Sequence, residues 1–102
     1  MKIIKCISER IKEEIHDAET YIDMANEWKK EEPDAADTFY ELSTEEMGHA
    51  EKLHKVVTEL IQRYREQNGD PPKGMLAIYE YLHEQEIENS MRVKVKQAMY
   101  DA

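Results

Sequence analysis

The stretch Ala35–Leu60, AADTFYELSTEEMGHAEKLHKVVTEL, decides how this chain is read. Taken in alternating steps of four and three it yields Ala35, Phe39, Leu42, Glu46, His49, Leu53, Val56 and Leu60. That is one face of an amphipathic helix, and six of its eight members are apolar. Glu46 and His49 are the exceptions. They are neighbours on the face, near the middle of a long helix, where a carboxylate and an imidazole are costly unless something compensates them. Either the two satisfy each other, or they hold a cation.

The chain on either side repeats the helical period. Ile4, Ile7, Ile11, Ile15, Ala18, Ile22, Ala25 and Trp28 form one stripe, which predicts a first helix over about 3–30. Glu31-Glu32-Pro33-Asp34 interrupts it, because Pro33 suits the first turn of a new helix and acids favour that new N-terminus. The second helix is expected over about 34–66. Gln67 to Gly74 gathers the strong breakers of the second half into one loop, and a third helix follows over about 75–100. Three helices of this length predict an all-α bundle forming a single domain over 1–102.

Bulk properties agree. Apolar residues make up 40% of the 102 residues and charged residues 36%, with three Gly and three Pro, as suits long helices with solvated outer faces. The net charge of −9 opposes phosphate backbones, so nucleic acid is set aside. No apolar run approaches the roughly 20 residues a bilayer crossing needs, and the N-terminus lacks a signal-peptide pattern, so the expectation is a cytoplasmic chain without membrane contact. Cys6 has no partner for an intrachain disulfide.

Candidate partners for Glu46 and His49 are less sharply marked. Glu19, between Ile15 and Ile22, borders the apolar stripe of the first helix, and His16 sits one turn earlier. In the third helix Met75, Leu76, Ile78, Tyr79, Leu82, Ile87, Met91, Val95 and Ala98 cover a broad arc. Glu80, His83, Glu84 and Glu86 fall inside it or at its border, and periodicity does not choose among them. Glu80 and His83 form a second Glu-x-x-His.

The run Glu45–Leu53, EEMGHAEKL, closely resembles the second-helix motif of ferritins and rubrerythrin-like proteins, a pair of glutamates followed by x-x-His-Ala-Glu-Lys-Leu. Glu19-Thr20-Tyr21 is similar to the first-helix ligand segment of that superfamily. His83 to Ser90, HEQEIENS, is similar to its third-helix segment His-Glu-x-x-Val-x-x-Ser. The resemblance implies a ferritin-like four-helix bundle with a non-haem di-iron site, in which Glu19 ligates one iron, Glu46 bridges, His49 ligates and Glu84 serves the second iron. Carboxylate-rich ligand sets of this kind suit iron or manganese, and a ferroxidase of this kind uses dioxygen as the oxidant.

The sequence departs from the family in having no fourth helix, so one chain is short of both packing and ligands. Encapsulin-associated short members solve this by pairing two chains, and the same expectation applies here: a homodimer or higher homo-oligomer sharing the site. The competing expectation is a structural or interaction bundle whose site is vestigial and metal-free. The loop after the second helix decides where Glu84 goes. If the second helix ends near Ile61, the connection can cross over and bring Glu84 to Glu46; if it continues to Gln67, the third helix folds back as a hairpin with Glu84 offset from the site.

Overall fold

The computed structural model describes residues 1–102 as three helices: α1 Lys2–Trp28, α2 Pro33–Asn68 and α3 Lys73–Asp101. The all-α, three-helix expectation is met. Pro33 takes the first helical position of α2 with Asp34 in its first turn, the arrangement that a missing N–H and an acidic side chain favour there. α2 ends where Gly69 takes a φ of 77° and donates its N–H to the Arg65 carbonyl at 2.9 Å, a backbone conformation open mainly to glycine. Because α2 runs on to Asn68, only residues 69–72 separate it from α3. So short a link enforces an antiparallel hairpin in place of a crossover. No helix is long and apolar enough to cross a membrane.

α1 packs along both other helices, whereas α2 and α3 barely meet and leave a groove between them. The molecule is 56 Å long and under 20 Å across, the long dimension being that of the 36-residue α2 at about 1.5 Å per residue. The shorter α1 leaves one end of the α2–α3 hairpin overhanging, and there the N-terminal amine donates to the Tyr79 hydroxyl at 3.1 Å.

Two core clusters lie along α1. One joins Ile11, Ile15 and Ala18 to Met47, Ala50 and Val93; the other joins Ile22 and Ala25 to Ala36 and Tyr100. Small residues line the α1–α2 seam and let the two backbones approach. Ser43, fully buried, donates its hydroxyl to the Ala18 carbonyl at 2.7 Å and accepts from the Gln97 amide at 3.0 Å.

The buried positions of α2 are Ala36, Ser43, Met47 and Ala50, each one residue after a member of the stripe read from the sequence. Ala35 and Val56 of that stripe are exposed. α2 is apolar over two adjacent columns. The column of smaller residues faces α1, because close approach buries more of both helices, and the column holding Glu46 and His49 is turned to the flank.

Candidate metal centre

Ser43 opposite Ala18 fixes the antiparallel register of α1 and α2. Moving from Ser43 to Glu46 moves the same distance back along α1, from Ala18 to Ile15, and the acid beside Ile15 is Glu14. Glu14 is buried with its side chain 10% exposed. It meets both exceptions of the α2 stripe: one ligand atom each from Glu14, Glu46 and His49 lie within 4.8 Å of one another. His49 Nδ1 stands 3.6 Å from Glu14 Oε2 and 3.8 Å from Glu46 Oε2. Arg10, one turn before Glu14, donates to the other Glu14 oxygen at 2.8 Å, leaving Oε2 turned to the histidine.

The electrostatics of the two carboxyl groups favour one proton on the pair. Glu46 keeps it: the hydrogen bond it donates to the Glu14 carboxylate, together with burial and repulsion from Glu14, pushes its pKa up to about 7. Glu14 goes the other way. The hydrogen bond from Glu46 holds it below the ordinary carboxylate value, against the effect of burial, with Arg10 and His49 assisting. A divalent cation would take the place of that proton, which is the exchange a carboxylate and imidazole set performs when it binds metal.

His49 is less enclosed than the sequence reading implies. Its side chain is 55% exposed, against 20% for Glu46. At about 100° per residue, Glu46 and His49 sit roughly 60° and 120° round α2 from Ser43, on the side away from α3. The same flank carries half-buried Tyr21, Met24, Leu42 and Leu53 and exposed Trp28 and Val56. The centre therefore lies on an open, partly apolar face of the α1–α2 pair.

Glu19 and Glu84 are not part of it. Glu19 occupies the other border of the α1 stripe, facing α3, where Arg92 Nε donates to it at 2.5 Å and Lys96 Nζ stands 3.3 Å away. The Arg92 hydrogen bond lowers its pKa against the effect of burial, with Lys96 helping, and two cations leave no room for a third. Glu84 is exposed on α3, since the hairpin places residues near Glu84 against the far half of α2. Within the single chain, the structure brings neither Glu19 nor Glu84 to Glu46 and His49. Periodicity marks both borders of the α1 stripe alike and so does not select Glu14; with Ser43 opposite Ala18, the antiparallel register puts Leu42, not Glu46, opposite Glu19. His16 is exposed and stands outside the centre.

A second group forms where α3 meets α2. His54, His83 and Glu86 bring ligand atoms within 4.8 Å of one another. His83 and Glu86 were among the open choices for the third helix, whereas His54 was not singled out. Glu80, the other half of the second Glu-x-x-His, is exposed. No family model, no curated protein and no solved structure matches the chain, and the reading of its sites rests on their own geometry.

Proposed function

We propose that this protein binds a divalent transition metal at Glu14, Glu46 and His49, with iron as the metal and manganese as its substitute, and that a second copy docked on the same flank completes the ligand set. The observation that carries the reading is the convergence of two largely buried carboxyl groups with an imidazole 3.6 Å from one and 3.8 Å from the other. Two such half-sites face to face hold four carboxylates and two imidazoles between two α1–α2 pairs, the ligand inventory of a di-iron carboxylate bundle. Half-exposed His49 and the apolar residues around it are then covered together. When bound, iron supplies redox chemistry with dioxygen as electron acceptor; the chain supplies charge compensation, the shared proton and an enclosing wall.

The test is anaerobic Fe(II) titration of metal-free protein, followed by admission of air. Binding should saturate near about one Fe(II) per chain, release protons, raise Tm and then give ferric absorbance faster than buffer does. His49→Ala should lose most of each response.

One observation favours the metal-free reading: no side-chain polar atom shut off from solvent lacks a hydrogen-bond partner, so no orphaned buried group demands a cation. On that reading Glu14, Glu46 and His49 only fix the register of α1 and α2, Tm does not respond to Fe(II) or Mn(II) at any concentration, and the iron proposal falls.

A further inference from the structure

The geometry points to a second metal site, distinct from the first, in which His54 of α2 and His83 and Glu86 of α3 bind a Zn(II)-class cation and clamp the two helices across their groove. The imidazoles of His54 and His83 stack with centroids 5.0 Å apart and planes 20° from parallel. Glu86, one turn beyond His83 on the same face of α3, is 17% exposed and directs Oε2 toward His54 Nδ1 at 3.5 Å. That separation exceeds a formed N–H···O bond. Three donor groups thus converge, with the long His54–Glu86 ion pair as the polar contact among them. Burial pushes the Glu86 carboxyl up, and the two histidines oppose this by favouring its charged form. A cation between them would do so more strongly.

The donor set sorts the metal. Two imidazoles and one carboxylate suit Zn(II), Co(II) or Ni(II), whereas the two carboxylates and one imidazole of the Glu14 centre lean toward iron and manganese. Ligand atoms within 4.8 Å of one another need only modest side-chain rotation to take up bonds of about 2.0–2.2 Å. Three protein ligands leave a fourth position open. His54, His83 and Glu86 line a cavity of about 290 Å³ together with Met47, Ala50, Ile87 and Met91, which would give a fourth ligand access. The core clusters tie α3 to α2 at Val93 and Tyr100, so a cation here would add a tie nearer the hairpin turn, beyond both clusters.

The experiment uses full-length, metal-free protein titrated with Zn(II) alone, followed by native mass spectrometry and calorimetry. In a Glu46→Gln/His49→Ala background, which disables the first centre, one Zn(II) per chain should remain. Adding His83→Ala should weaken it by more than the roughly 10–100-fold that loss of a mere supporting hydrogen bond costs, and Glu86→Gln should weaken it as well. Unchanged Zn(II) affinity on adding His83→Ala would overturn the proposal. Circular dichroism checks that each variant is helical. A measurement on the unaltered chain covers the case in which one is not: paramagnetic Co(II) should broaden the imidazole proton resonances of His54 and His83 while leaving His16 sharp. If His54 and His83 stay as sharp as His16, the site does not exist, whatever the first centre binds.

Discussion

Glu46 carries a pH prediction whose sign follows from its partner. Its folded pKa of about 7 lies above the ordinary 4.5, so the folded state holds a proton that the unfolded chain gives up. That contribution to stability is fully present below pH 4.5 and is lost as pH rises through 7. Glu14, shifted downward, contributes above 4.5 and loses its contribution only as pH falls further. Metal-free protein should therefore melt lower at pH 8 than at pH 5. Glu46→Gln, whose amide can still donate to Glu14 and cannot ionise, should flatten that slope. The difference at pH 8 should be on the order of 1 kcal/mol, about 4–8 °C in Tm for a domain of this size. Metal affinity of the wild type should rise over the same interval, since the cation displaces the proton. Parallel slopes for wild type and Glu46→Gln would show that no proton is shared. Glu14 and Glu19 make a second comparison. Glu14→Ala should abolish Fe(II) binding, while Glu19→Ala should leave it intact and cost up to about 1 kcal/mol by freeing Arg92 and Lys96. The reverse result in an equilibrium titration would restore Glu19 as the ligand.

At the scale of elements, one backbone position and one side chain hold the helices in register. Gly69, with φ 77° and ψ −169°, occupies a region nearly closed to other residues, so Gly69→Ala should cost about 1–3 kcal/mol by chemical denaturation. A Cβ there would meet no neighbouring atom within 4 Å, and the cost is backbone strain alone. A loss below about 0.3 kcal/mol would mean the turn relaxes freely. Ser43 is the counterpart in the α1–α2 seam, fully buried and bonded to both α1 and α3. Ser43→Leu should destabilise by about 1–3 kcal/mol through overpacking and push α1 away from α2. Glu14 and Glu46 would separate, so Fe(II) affinity should fall together with Tm. Retained affinity in a destabilised Ser43→Leu protein would show that the centre does not depend on the seam.

As a whole molecule the chain encloses little: two small core clusters strung along α1, and large apolar side chains such as Ile3, Trp28, Val56, Met91 and Val95 left 40–61% exposed. A flank that combines exposed Trp28 and Val56 with a half-site should self-associate. Sedimentation at micromolar concentration should show at least a dimer, and Fe(II) should tighten it, because the cation binds the assembled site better than the single chain. Trp28→Glu, which places charge on that flank, should yield monomers that bind Fe(II) weakly. Monomeric wild type with full Fe(II) affinity would sink the shared-site arrangement and leave the metal to a single chain.

The sequence by itself determined the three helices, because the period of Ile4 through Trp28 and of Ala35 through Leu60 is a local property, broken by Pro33 and Gly69 where the backbone cannot continue as helix. It also singled out Glu46 and His49, a polar pair in an otherwise apolar column. Which border of the α1 stripe would carry the third member, Glu14 or Glu19, was a matter of tertiary structure. Periodicity marks a stripe without saying which side of it the third helix takes, and α3 packed on the Glu19 side, where Arg92 and Lys96 neutralise that acid. The same holds for His54, His83 and Glu86. Residues on separate helices become a cluster only when the short 69–72 turn sets the register of the hairpin, and that register follows from where α2 stops, a balance of helix propagation against a single glycine that periodicity does not resolve.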